Sequence, residues 1–593
     1  MSLSPPPRVP WQVTGNHWLS LPCIHPADGA VFAVGFLHRG TRSAIEFAGG
    51  AGFVEGEGPP LLRPRIRIGG EEFTLADAPM AWERAFAWLP TFTWTHGELV
   101  VRGTVFAPFG RDSDVAGAVY ALSLENRGGH PVDATFIMEG TLGHRQLRVR
   151  TVRPFEDQHL VREMDGDVIL GGRAAAGVVS IAIGADASSR VQVHDGDAPR
   201  FVIERTVDAP AGERAQFAFY LAAGPEPDGA RASMAVLRRR GWKDLLRDTR
   251  DALRSLEQTT GHETLDPLIN RNLLFAYFYS VGRALDDAHY YMVRSRAPWN
   301  GRGVTVRDWE ALMWTLPAVQ LSDPPLAREL LLRACELHGY APGRGEHYFD
   351  GTMFAPGFCI EGAAGYALAV DRYIRDTNDD RIVEEPVIAD TLYLSADDLA
   401  ARRDRNVPLY STEVLPGGEP APFAFTLHGN AVAAQALEVL RRTLDEESAR
   451  GVEDPEAVRA ALKRHFVVDR ERTQLFAAAT DLAGQHTFDD DAVGSALWLP
   501  LYEAVERHDS LYRRTVKRSG SAPRELAREC ARLLGPDSSS VLQWFRRAPL
   551  DGGLAAEIVT AEGQAKANGG DAALSGLLAW TAWYAVHALG ERP

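Results

Sequence analysis

The chain has 593 residues, with 63 Lys plus Arg against 79 Asp plus Glu and a formal charge of −16 at pH 7, so it is too long for one ordinary core and calls for at least two domains. Apolar residues make up 45% and charged residues 24%, the mixture of a folded globular protein rather than a disordered or fibrous one. The acid surplus excludes nucleic acid and anionic membrane as main partners, because either needs concentrated positive charge, and favours an uncharged or weakly charged substrate.

The amino terminus, MSLSPPPRVPW, has no apolar stretch after a basic start, and no window approaches the ~20 uninterrupted apolar residues of a spanning helix. A soluble protein is expected. Up to about residue 230 the chain shows short runs rich in Val, Ile, Phe and Thr: AVFAVGFL from Ala30, LVVRGTVFAPF from Leu99, AGAVYALSLEN from Ala116 and VVSIAIG from Val178. Turn signals such as NRGGHP and MDGD recur between them, which suits a large antiparallel sandwich. After AAGPEPDGARAS the periodicity turns helical, and the spacing predicts helices over 232–256, 265–284, 306–320, 325–338, 359–377, 384–403, 425–446, 454–466, 490–505, 522–534, 537–546 and 572–589. Short turns and long Gly/Pro-rich loops alternate between these helices, which suggests six helical hairpins in a ring. The division expected is a β-sandwich over 1–230, a helical linker over 231–260 and the helical ring over 261–593.

The four cysteines, Cys23, Cys335, Cys359 and Cys530, form no CxxC pair. That argues against zinc knuckles and a disulfide framework and makes a reducing cytoplasm the simplest compartment. Cys335 and His338 make a lone CxxH without a second pair at metal spacing. No GxSxG elbow, GxxxxGK[ST] loop, HExxH or GxGxxG after a strand occurs, so neither a metal nor a cofactor is called for.

Function concentrates in long ordered loops, and the strongest local signal is Glu413 in YSTEVLPGGEP. Packed with Pro408, Tyr410 and Phe423, its carboxyl would be partly desolvated, raising its pKa and fitting it to donate a proton; a solvated loop glutamate is the plain alternative. The second is Glu557 in LDGGLAAEIVTAEG, where Gly552 and Gly553 allow close approach to a ligand and Glu562 is the local competitor. The third is VRDW, in which Asp308 either caps a helix or accepts hydrogen bonds from sugar hydroxyls, with Arg307 fixing its position. Trp309 lies on a helical stripe with Leu312, Met313 and Leu316 that reads first as core. His347, Tyr348 and Asp350 in EHYFDG, the stacking candidates Trp299 and Trp314, and Tyr410, His428 and Lys566 complete the candidate sugar contacts. Asp489, Asp490 and Asp491 read as the cap of the next helix.

The order of these motifs resembles that of the six-hairpin glycosidases, the broad group with glucoamylase-like, glycogen-debranching and processing-glucosidase enzymes and disaccharide phosphorylases. The resemblance rests on VRDW at 306–309, on the acid-to-helix stretch Ser411 to Leu440, on GGLAAEI at 552–558 and on DDDAVGSALWLPLYE. It implies an antiparallel β-sandwich (supersandwich) followed by an (α/α)6 toroid carrying the active site. It also implies that Glu413 is the general acid and Glu557 the base that activates water. Inversion of that kind sets the two carboxyls roughly 6.5 to 9.5 Å apart. The expected activity is exo cleavage of a small α-glycoside or an oligosaccharide end, an α-glucoside first, with a carbohydrate as the partner molecule and homo-oligomerisation left open. An inverting disaccharide phosphorylase, which would need a cationic site near Glu557, is the nearest alternative. A polysaccharide lyase or epimerase and a non-catalytic carbohydrate-binding protein are alternatives of other classes.

Overall fold

The computed structural model describes residues 9–590, apart from 51, 112–113, 143, 148–157, 175–176, 197, 489–490, 519–523 and 567–568. The chain divides into one unit of Met1–Glu257, Val281–Tyr290 and Arg296–Val304, and a second of Gln258–Ser280, Tyr291–Ser295 and Thr305–Pro593.

The first unit is built of antiparallel strands. The apolar runs read from the sequence become Leu99–Phe106, Gly117–Asn126 and Gly177–Ala185, members of one eight-stranded sheet that also holds Arg214–Gly224. A five-stranded sheet containing Arg63–Ile68, Val132–Thr141 and Arg200–Ala209 packs on it. Val101, Leu122 and Phe219 from the first share a buried core with Ile66, Met138 and Ile203 from the second, and the rings of Phe136 and Phe217 meet at 4.5 Å. Two aligned layers with their apolar faces together make the sandwich. The helices Pro227–Arg240 and Trp242–Leu256 also belong to this unit, the former tied down by Arg238, which donates to both oxygens of Asp167.

In the second unit an enclosed set of helices alternates along the chain with an outer set. The enclosed set consists of Asp308–Glu310 continued by Ala311–Thr315 and Leu316–Ser322, then Ile360–Thr377, Leu427–Thr443, Ala496–Tyr502, Leu526–Leu533 and Ala572–His587. Each of these packs on the next, and the last packs back on the first, which closes a ring of six. Stretches such as IEGAAGYALAV and HGNAVAAQALEVL are apolar or small on every side, the composition of a helix that touches neighbours all round. The partners Asp266–Tyr279, Pro324–Leu337, Pro386–Ala401, Pro455–Phe466, Ser510–Arg518 and Ser538–Phe545 lie against the outside of that ring.

Two local departures from the periodicity have backbone causes. The helix expected over 306–320 passes through a π turn at Ala311–Thr315, just before Pro317, which has no N–H for the regular ladder. The helix expected over 490–505 is only the 3-10 segment Ala496–Tyr502, interrupted by Pro500 and ended by Glu503 in the left-handed region at φ 54°. Ser510–Arg518, not anticipated from the sequence, supplies the outer helix beside it. No helix among the described residues is long and apolar enough to cross a membrane.

Candidate active site

All six enclosed segments begin at the same end of the ring, and the loops gathered there carry a concentration of acids. The loop at 408–426 is anchored by the Thr412 hydroxyl, which donates to Phe358 O at 3.0 Å and accepts from Ile360 N at 3.3 Å. Beyond it the chain doubles back in a tight turn: Leu415 N donates to Glu419 O and Gly418 N to Leu415 O, each at 2.8 Å. Gly418 sits at φ 91°, and a Cβ there would stand 2.7 Å from Arg307 Nη2. Glycine therefore both makes the turn and lets it lie on the Arg307 guanidinium, presenting Glu419 at the turn's foot.

The GGLAAE loop is fixed by Asn272, whose side chain donates to Gly553 O and accepts from Ala555 N, both at 2.8 Å. Glu557 O then accepts from Leu526 N at 3.0 Å, and Ile558–Val559 pairs with Arg524–Glu525. The Glu557 side chain reaches solvent, yet partial desolvation raises its carboxyl above the usual range. Arg294 opposes this, while the charges of Asp571, Glu310 and Glu419 add to it. Glu419 and Glu557, 138 positions apart in the sequence, are thus close enough for the charge of one to act on the other.

Beneath them lies a buried ion-pair network. Arg307 holds Glu310 at 3.1 Å and Glu346 at 3.3 Å, and Arg294 lies 3.6 Å from Glu310 and 3.4 Å from Asp571. Thr305 donates to the other oxygen of Glu346. The negative neighbours, Glu310 first, hold Arg294 firmly charged. Burial raises the Asp571 carboxyl against the pull of Arg294, and Asp571 also caps its helix by accepting from Leu574 N at 3.0 Å. Asp491 joins the same group: burial raises its carboxyl, with Glu419 and Glu525 adding and His428 opposing, and one of its oxygens is enclosed without a partner. Asp489 and Asp490 lie outside the described residues.

Glu413 departs from expectation. Its side chain is 53% exposed, accepts from Arg402 Nη1 at 2.7 Å and from Phe358 N at 2.9 Å, and its carboxyl is lowered, chiefly by Arg402. The desolvation that would have raised it is outweighed by two donors, the opposite of the direction expected for a proton donor.

Asp308 is turned into the protein. Gly343 N and the Tyr366 hydroxyl each donate to one of its oxygens at 2.9 Å, so it neither caps its helix nor offers a free oxygen to a sugar. Arg307 binds Glu310 and Glu346 rather than fixing Asp308. Burial outweighs the two hydrogen bonds and raises the Asp308 carboxyl to about 7. The native chain therefore keeps this proton to higher pH than the unfolded chain, and stability falls as pH climbs from 3.8 through about 7, levelling above. Asp308→Asn is expected to flatten that slope, by up to roughly 4 kcal/mol across the interval, in denaturant titrations between pH 4 and 8.

Several other expected contacts turn out enclosed. Tyr410 and His347 have at most 1% of their surface exposed; His347 stacks near His338, ring centroids 5.2 Å apart, and burial lowers its basicity. Tyr348 packs edge-on against Phe354, and Asp350 accepts from Thr352 N to close a turn. His428 is clamped at 2.8 Å to Glu361 and lies edge-on to Trp309, which is itself 3% exposed. Ring packing encloses His347 and His428, while Tyr348 and Asp350 remain half-buried. Trp309 and Asp308 do line a narrow cavity of about 50 Å³ with Arg307, Glu346 and Gly418. That is room for water rather than a pyranose. Lys566 is exposed, its N–H bonded to Ile558 O, and Trp299 belongs to the first unit, in the turn closed by Asn300 N and Ala297 O. Glu562 is exposed and its carboxyl is lowered, first by its own backbone N–H.

The sequence reading missed Glu419, Glu310, Glu346, Arg294 and Asp571. The available sign for Glu419 was the PGG ahead of it, a turn signal that sends the following residue back toward the ring. Among the described residues no group of three or more His, Cys, Asp or Glu is arranged to hold a metal ion.

No family model matches the chain, and no curated protein matches it either. Among solved structures, a bacterial glucoamylase complexed with acarbose is similar at TM-score 0.66 and 10% identity, over 99% of this chain and 96% of that one. A putative kojibiose phosphorylase from the human microbiome is similar at TM-score 0.57 and 11% identity, over 96% of this chain and 86% of that one. At such identities the likeness is one of fold, and together with the sheet order and the closed ring of helices it assigns the chain the six-hairpin glycosidase-like fold, an antiparallel β-sandwich followed by an (α/α)6 toroid.

Proposed function

We propose that this protein is an exo-acting, inverting glycoside hydrolase, in which Glu419 donates a proton to the glycosidic oxygen and Glu557 takes one from the attacking water. The observation that carries this reading is that Glu419 and Glu557 each sit on a loop anchored to the start of an enclosed helix, with the charge of Glu419 among those that raise the Glu557 carboxyl. As the C–O bond breaks, the leaving oxygen receives the Glu419 proton; water adds to the anomeric carbon from the other face and passes its proton to Glu557. A raised carboxyl suits the base, because its basicity approaches the working pH. Glu419 is exposed and so open to a substrate at the mouth of the ring.

The choice of water over phosphate is supported by charge. Arg294 and Arg307 face acids, and the group of Glu310, Glu346, Glu419, Asp491, Glu557 and Asp571 leaves a local surplus of carboxylates that disfavours a second anion. The glycosidase-like fold, and the glucoamylase likeness within it, make an α-glucoside the first substrate to try.

A panel of aryl glycosides and natural disaccharides, assayed with and without phosphate and followed by proton NMR of the first-formed anomer, tests the proposal. Turnover independent of phosphate with inversion supports it; phosphate-dependent release of a sugar phosphate, or retention, contradicts it. Within the same assay Glu413→Gln is expected to stay within about threefold of the parent kcat, since it removes only an exposed ion pair; a loss of 10²-fold or more would return the acid role to Glu413.

A further inference from the structure

The far end of the helical ring holds a second, larger cavity. From Ile360 at the carboxylate cluster to Arg372 the helix advances roughly 18 Å, at about 1.5 Å per residue. There Pro500 and the left-handed Glu503 cut the fourth enclosed segment short, leaving about 1040 Å³ of open space lined by Arg372, Tyr502, Trp580, Trp583 and Tyr584 among others. This is the size of a small-molecule pocket.

Arg372 is the unusual member. It is 8% exposed, its guanidinium lies 4.7 Å from the centre of the Trp580 ring, and its Nη1 is enclosed without a hydrogen-bond partner. The acids nearby are committed elsewhere: Asp371 is paired with Arg375 and Arg442, and Asp376 accepts from Gln320 at 2.7 Å. A buried cation with no ion pair of its own is costly, and burial lowers the Arg372 pKa to about 10, only partly offset by the charge of Asp376.

We propose that this cavity is a second ligand site that binds a small oxyanion, phosphoryl or carboxylate, carried on a sugar ring, with Arg372 holding the anion and Trp583 and Tyr584 flanking the ring. The planar guanidinium matches such an anion in a forked arrangement, and its stacking on Trp580 fixes the plane in advance. The aromatic walls suit the apolar face of a sugar better than a bare ion.

Calorimetric titration of the full chain with glucose 6-phosphate, glucuronate, inorganic phosphate and glucose tests the site. The first two arms separate a phosphoryl from a carboxylate source. At least one of those two anionic sugars is expected to bind about tenfold more tightly than inorganic phosphate and to outbind glucose clearly. Arg372→Gln should weaken that binding at least about tenfold without loss of thermal stability, because it removes a buried charge that no ion pair holds. Trp583→Ala, at the half-buried rim, should weaken the sugar anion several-fold and leave inorganic phosphate unchanged. Should Arg372→Gln fail to fold, Trp583→Ala decides alone. Absence of anion binding up to about 10 mM, glucose binding as tightly as its charged relatives, or affinities unchanged in either variant would overturn the proposal.

Discussion

Replacing Glu557 by Gln is expected to lower kcat by roughly 10²- to 10⁴-fold, the contribution of one positioned acid or base, with KM little altered because the isosteric amide still fills the same space. Glu419→Gln should do the same on substrates with poor leaving groups. The argument rests on where the two side chains stand. Glu557 projects from a loop held on both sides, by Asn272 before it and by its own carbonyl accepting from Leu526 N, and its raised carboxyl records Glu419 among its charged neighbours. Neither side chain has an ion-pair partner within 4 Å among the described residues, in contrast to Glu413, whose carboxylate is occupied by Arg402. Steady-state kinetics of the three Gln variants on one substrate separate these roles.

Arg294→Gln carries the second large effect, with two readouts. Arg294 lies between Glu310, 3% exposed, and Asp571, 8% exposed. Without it Asp571 loses its ion-pair partner in a dry interior and Glu310 keeps only Arg307, a situation that costs about 3–5 kcal/mol for a broken buried pair, measurable by denaturant unfolding at pH 7. Arg294 is also the charge that restrains the rise of Glu557. Its removal should move the acidic limb of the kcat/KM profile to higher pH, because the base must be ionised to act and loses its proton later. Arg294→Lys keeps the charge without the planar fork and should recover most of the limb's position but only part of the stability. An unshifted limb in Arg294→Gln would separate Arg294 from the titration of Glu557.

The fold was legible because its signals are long. Short Val- and Phe-rich runs such as Leu99–Phe106, bounded by turn residues, can only be strands in a layered core, and the small, apolar first turns of Ile360–Thr377 touch neighbours on all sides, so sandwich and ring follow from burial. Signals resting on a single residue were less secure. Pro500 turned a periodic stretch into a short 3-10 segment and thereby opened the far cavity. In YSTEVLPGGEP two acids lie six positions apart, and composition cannot tell which one faces the ring. That is decided by the turn through Gly418 and by Arg402, eleven residues upstream, which captures Glu413. Asp308 was conspicuous for a different reason: a buried acid receiving two hydrogen bonds looks, in sequence, like an acid awaiting a ligand.

The dependence of kcat on the leaving group, measured for Glu419→Gln beside Glu413→Gln on a series of aryl glycosides of graded phenol acidity, tests the assignment of the proton donor most directly. Loss of the donor should leave the most acidic phenols nearly as fast as in the parent and slow the least acidic by about 10²-fold or more, a steep dependence in Glu419→Gln and a parental one in Glu413→Gln. A steep dependence in Glu413→Gln with a parental one in Glu419→Gln would contradict the account.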